Sequence, residues 1–190
     1  MTTKKRITTA DIVLTALFAT LTFVGTMIRI PMPAAVGAPF IHLGNSVLLL
    51  AVLLLGYRKG ALAGGMGFAI FDVLNGYAAE APYFIFESFI VGGVATLVFI
   101  ALGRQDRPLY KVTAVAIAAG LAKLAMTFLK GIVKMLILGA DLKPAIIASA
   151  TTIPTSVINV ISTIIIVTLL YYPVKKIVDT FYQRTTLNFK

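Results

Sequence analysis

Residues 41–77, IHLGNSVLLLAVLLLGYRKGALAGGMGFAIFDVLNGY, decide the fold. Two apolar runs are joined by Gly56-Tyr-Arg-Lys-Gly60, with His42 and Asn45 near one end and Asp72, Asn75 and Tyr77 at the other. Apolar runs folded back at a glycine-bounded basic turn predict a membrane helical hairpin, and folding back brings both polar ends to the same mouth.

The rest of the chain has the same character. Of its 190 residues, 59% are hydrophobic and the mean hydropathy is +0.96, well above the roughly 45–50% apolar content of soluble domains. Residues 1–190 therefore read as one integral membrane domain. The net charge of +10 does not indicate nucleic acid, because the basic residues fall mainly between apolar runs instead of along one solvated face. With no Cys, disulfides and thiolate metal sites are excluded. The apolar run over residues 12–30 exceeds the roughly 7–15 residue core of a signal peptide and reads as a retained first helix.

Apolar length predicts six helices, over residues 9–28, 41–55, 60–77, 82–102, 110–138 and 144–172. The fold class is all-α, with six transmembrane helices and both termini on one side. Lys4, Lys5, Arg6, Arg58, Lys59, Arg104, Arg107, Lys111, Lys175, Lys176, Arg184 and Lys190 fall on that side, against Arg29 and Lys143 on the other. Short basic loops stay in the cytoplasm, so both termini are expected there. Residues 30–40, with three prolines and a glycine, cannot continue a helix and form a candidate lid outside the membrane. On the first helix Thr15, Ala19, Thr22 and Thr26 share a face of small side chains, suited either to a partner helix or to internal packing.

Ionisable residues within membrane helices mark a functional interior or a paired contact. Lys123, Lys130 and Lys134, spaced seven and four apart, share one face of the fifth helix. Glu87 on the fourth helix is expected at the depth of Lys130 and Lys134, with Asp72 a candidate partner for Lys123. Lys130 and Glu87 are the leading candidates for fixing a polar solute, with Lys134 nearer the surface and able to snorkel. His42, Asn45, Asn75 and Asn159 are candidate hydrogen-bonding residues, and Tyr83, Phe84 and Phe86 offer ring surface. One His builds neither a metal site nor a Ser-His-Asp triad. Nucleotide-hydrolysis motifs are also missing, so active transport would need an outside energy source.

His42-Leu-Gly-Asn45, Leu53-Leu-Leu-Gly56, Gly60-Ala-Leu-Ala-Gly-Gly65 and Asp72-Val-Leu-Asn-Gly-Tyr77 together resemble the substrate-binding S component of energy-coupling factor (ECF) vitamin transporters. The six-helix plan and chain length agree with that resemblance. It implies a multi-pass protein of a prokaryotic plasma membrane that captures a vitamin from outside and catalyses no reaction. Its partners would be a transmembrane coupling protein and two cytoplasmic ATPases. The chain itself would hold no cofactor, ATP and Mg being used by the ATPases.

The family's coupling contact, often an Ala-x-x-x-Ala pattern on the first helix, corresponds here to Thr15-x-x-x-Ala19 and Ala16-x-x-x-Thr20. Thr15, Ala16, Ala19, Thr20 and Thr22 are thus the expected docking residues. The resemblance also brings Glu87, Lys130 and Asn159 into range of the cargo. A hydroxymethylpyrimidine or vitamin B6 compound is the favoured cargo, and the lysines would also suit pantothenate. A self-sufficient carrier or channel and a membrane enzyme are the alternatives.

Overall fold

A computed structural model describes residues 7–187; Lys4, Lys5, Arg6 and Lys190 of the charge count lie outside the described residues. The elements run α1 (Thr9–Met27), β1 (Arg29–Pro31), β2 (Phe40–His42), α2 (Gly44–Leu55), α3 (Tyr57–Leu74), a 3-10 turn (Ala78–Glu80), α4 (Ala81–Ala101), α5 (Tyr110–Ile137), α6 (Leu142–Ala150) and α7 (Ile153–Leu187). The helices α1, α4, α5 and α7 are long and apolar enough to cross a membrane, and α2 is a shorter apolar helix. This is the architecture of an all-α membrane protein.

A capping box starts α1: the Asp11 amide donates to the Thr8 hydroxyl (3.2 Å), and the Thr8 amide donates to Asp11 Oδ2 (3.0 Å), satisfying two donors that a helix start leaves bare. The centre of the bundle is made of small side chains. Ala51, Ala63, Ala95, Val115 and Ala116 are completely buried, which lets α2, α3, α4 and α5 approach closely where lipid supplies little hydrophobic force between helices. Large aliphatic side chains such as Leu17, Leu97, Leu121, Ile137 and Leu169 point outward. α3 packs on α1, α2 and α4, while α5 packs on α4, α6 and α7.

The hairpin forms with a tighter turn than the sequence predicts. Gly56 alone, at φ +86°, separates α2 from α3, so Tyr57, Arg58 and Lys59 are helical instead of lying in the turn. Gly60 lets the two helices touch: a Cβ there would come within 2.3 Å of the Val52 backbone. The second helix also starts later than expected, because residues 40–42 pair as a strand with residues 29–31, Ile30 opposite Ile41. The proline-rich segment is thus the tip of a β-hairpin, held by the Met32 amide donating to the Pro39 carbonyl (2.9 Å).

The expected sixth helix, residues 144–172, divides at Thr151–Thr152 into α6 and the longer α7. Pro154 stands in the first turn of α7, where a missing N–H costs nothing, and it disfavours helix in the preceding residue. At the break, the Thr151 hydroxyl accepts the Ala35 amide of the hairpin tip (2.9 Å).

The small-residue face of α1 turns inward. Ala19, Thr22 and Thr26 are buried, and a Cβ at Gly67 of α3 would lie 2.5 Å from the Ala19 carbonyl oxygen and 2.6 Å from Thr22 Cβ. Ala19 and Thr22, expected in a docking face, thus lie in the α1–α3 contact, which is the internal-packing alternative for this stripe. Thr15 is half-buried, and Ala16 and Thr20 are exposed beside Val13, Leu17, Leu21 and Val24.

Two polar clusters tie one end of the bundle. Asp11 Oδ1 accepts from Lys59 Nζ (2.5 Å) and from the Tyr182 hydroxyl (2.8 Å), joining α1, α3 and α7. Lys175 pairs with Asp106 of the α4–α5 loop, whose carbonyl also accepts the Tyr172 hydroxyl (2.6 Å).

Candidate functional site

At the opposite end, between the β-hairpin, α2–α5 and the start of α7, lies a solvent-connected cavity of about 150 Å³. The hairpin tip, residues 36–39, forms one side with Val36 buried. His42 of β2, Asn45 of α2, Asp72 of α3 and Phe84 of α4 line it, and Lys123, Thr127, Lys130 and Lys134 of α5 face it. These four α5 residues recur at intervals of four, three and four, which places them along one helical stripe.

Two rungs of charge connect α4 and α5. Glu80, in the turn before α4, pairs with both Lys130 and Lys134 (2.8 Å to the latter). Glu87, seven residues on, pairs with Lys123, seven residues before Lys130. The helices run antiparallel, so equal spacing on each aligns both rungs, about 10 Å apart. The Tyr83 hydroxyl donates to Glu87 Oε1 (2.7 Å). The Phe84 ring lies between the rungs, 4.2 Å from Lys130 Nζ and 5.1 Å from Lys123 Nζ. Each ammonium over that ring face gains about 0.5–2 kcal/mol.

Glu87 is 1% exposed, and neither it nor Tyr83 lines the cavity. Glu87 holds Lys123 from behind and Tyr83 holds Glu87, so Glu87 lies outside the cavity and at the depth of Lys123, not at the expected depth of Lys130. Glu80 occupies that level. Its sequence position carries no signal of this, because Glu80 stands in the turn between helices and not within an apolar span.

Asn75 also lies outside the cavity lining. Its Oδ1 accepts from Arg29 Nη2 (3.3 Å) and its Nδ2 donates to the Phe71 carbonyl (2.9 Å). The Arg29 guanidinium sits 4.9 Å from the Phe71 ring centre, 5.3 Å from Phe40 and 5.8 Å from Tyr77. Asn75 and Arg29 thus support the aromatic wall that Phe40 and Tyr77 present to the cavity.

Asn159 lines the cavity, but both ends of its amide are engaged: Nδ2 donates to the Phe40 carbonyl (2.9 Å) and Oδ1 accepts the His42 amide (3.0 Å). His42 and Asn45 do meet as expected, 3.4 Å apart, although His42 projects from a strand and not from a helix. The geometry gathers His42, Asn45, Phe84, Lys130, Lys134 and Asn159 around one space, and adds Asp72, Glu80, Lys123, Thr127, Thr152, Thr155 and Ser156.

Three of these wall residues carry buried polar atoms without a hydrogen-bond partner: Asp72 Oδ2, Asn45 Oδ1 and His42 Nδ1. A buried polar atom left without a partner costs about 1–3 kcal/mol. A ligand that supplied the missing partners would recover that cost. The wall therefore combines ring surface, paired ammonium groups and buried polar atoms without partners, an arrangement for binding a polar ring compound.

No curated protein matches the chain. The sequence model of the ECF-type riboflavin transporter S component family matches residues 6–176. With nearly the whole chain matched and a helical membrane fold, the protein belongs to that family and is the substrate-binding subunit of a transporter, not an enzyme.

Proposed function

We propose that the chain captures one water-soluble vitamin or vitamin precursor at the outer face of a prokaryotic plasma membrane and delivers it through an ECF transporter. In this reading α1, α2, α3, α4, α5 and the α6–α7 pair make six passes, with both termini in the cytoplasm. The exposed Ala16–Thr20 side of α1 meets the coupling protein. ATP and Mg are used by two partner ATPases. The chain itself needs neither.

The observation that carries the proposal is the cavity wall, in which three buried polar atoms lack partners beside Phe40, Tyr77 and Phe84. A flat heterocycle supplies both what the rings and what the polar atoms lack. A hydroxymethylpyrimidine or vitamin B6 compound is the favoured cargo. The family's own description names riboflavin, which makes it the second cargo to test. Pantothenate loses support because it is acyclic and offers no ring to Phe40, Tyr77 and Phe84.

The direct test is mass spectrometry of small molecules retained by the detergent-purified chain, followed by calorimetric titration without ATP. A retained vitamin that rebinds with one-to-one stoichiometry is expected. Transport by the chain alone in proteoliposomes would instead establish a self-sufficient carrier.

A further inference from the structure

The charges around the cavity are unevenly matched. Glu87 neutralises Lys123, whereas the single carboxylate of Glu80 is shared by Lys130 and Lys134. One ammonium charge is therefore in excess at the outer rung. Asp72, 3% exposed, lines the same cavity and makes no ion pair or side-chain hydrogen bond among the described residues. Excess positive charge and a carboxylate outside any ion pair thus share one cavity. A buried carboxylate normally has a cation or several donors against it. The Asn45 carbonyl oxygen, also buried and unpartnered, is a second acceptor in the wall.

We infer that the cavity selects a dipolar heteroaromatic cargo, which presents a ring N–H to Asp72 and a negatively charged oxygen to Lys130 and Lys134. A hydroxypyridine in its pyridinium–phenolate form has this chemistry. Its ring nitrogen carries a proton and its ring oxygen a negative charge, on different edges of one flat ring. Phe84, whose ring already lies against the Lys123 and Lys130 ammonium groups, provides apolar surface in the same wall. A purely anionic cargo would leave Asp72 unmatched and repel it. A neutral ring would leave the outer ammonium excess unmatched. This inference rests on the vitamin-capture reading and narrows it to one charge pattern.

The test is calorimetric titration of the full chain in detergent, near neutral pH, with pyridoxine, 3-O-methylpyridoxine, riboflavin and pantothenate. Pyridoxine is expected to bind tightest, and the 3-O-methyl compound, which cannot form the phenolate, at least tenfold more weakly. Asp72→Asn is expected to weaken pyridoxine binding at least tenfold while leaving the melting temperature of the empty protein unchanged or higher, because the carboxylate it removes has no partner there. Asp106→Asn, outside the cavity, should leave affinity unchanged. Pyridoxine affinity within threefold of wild type in Asp72→Asn would overturn the inference, as would loss of that variant's fold, which would make Asp72 a structural residue. Tighter binding of riboflavin or pantothenate would overturn the charge pattern but leave vitamin capture standing. Absence of binding to all four, with no molecule retained on purification, would overturn both.

Discussion

Glu87 shows how a side chain's neighbours decide its role. Beneath the cavity, it compensates a buried ammonium and accepts the Tyr83 hydroxyl. Glu87→Gln leaves Lys123 without its counter-charge, and removing one member of a buried pair typically costs about 3–5 kcal/mol. The variant should melt at a markedly lower temperature in detergent. Adding Lys123→Met should recover much of that loss, since the second change removes the stranded charge. Equal melting of Glu87→Gln and wild type would show that the pair contributes nothing. Asp106 offers a second residue-level test. Its hydrogen bond to the Lys175 ammonium is the main influence holding its carboxyl below the ordinary 3.8, with burial opposing. A carboxyl depressed in the folded state stabilises above its unfolded value, and this contribution fades as pH falls through the folded one. The melting-temperature advantage of wild type over Asp106→Asn should thus be full at about pH 6 and shrink below about pH 4.

Among the elements, α1 separates two faces that its small residues do not distinguish. Ala19 meets the backbone-close approach of Gly67, whereas Ala16 is exposed. Ala19→Leu should overpack the α1–α3 contact and lower stability by about 1–3 kcal/mol. Ala16→Leu should leave melting and solute binding unchanged and reduce co-purification with the coupling protein. The reverse pattern would place the docking face on the stripe that the structure buries. The spacing of Thr15, Ala19, Thr22 and Thr26 showed that the stripe existed, but every small face in a membrane bundle suits both an internal and an external neighbour. Similarly, α1, α4 and α5 were legible to within a residue or so because apolar length is a one-dimensional property. The break before α7 had a visible signal in Thr151-Thr152-Ile153-Pro154 that was outweighed by the long apolar run around it. The β-hairpin had none beyond its prolines, since strand pairing three residues long depends on what α7 presents to it.

Across the whole molecule, polar side chains divide between the ends. Asp11, Lys59 and Tyr182 join at one, as do Asp106 and Lys175, while Glu80, Lys130 and Lys134 meet near the other. This arrangement agrees with the uneven distribution of basic residues, and a chain without cysteine permits a clean test of sidedness. In intact cells a membrane-impermeant maleimide should label Ala35→Cys and Asp141→Cys, and should label Gln105→Cys only after permeabilisation. Labelling of all three from outside would overturn the six-pass arrangement. The site itself was only partly legible. Sequence spacing grouped the three lysines, but the carboxylates that answer them come from a different helix and a loop, and their assignment depended on how far α4 and α5 slide past one another.

Asn159 gives the hairpin a property of another kind. By accepting the His42 amide and donating to the Phe40 carbonyl, one side chain takes the place of a neighbouring strand along the outer edge of β2. The His42 amide proton is consequently protected by α7, and not by the partner strand. Its rate of exchange with deuterium should report separation of the hairpin from α7, rising when the two part and slowing when bound cargo holds them together.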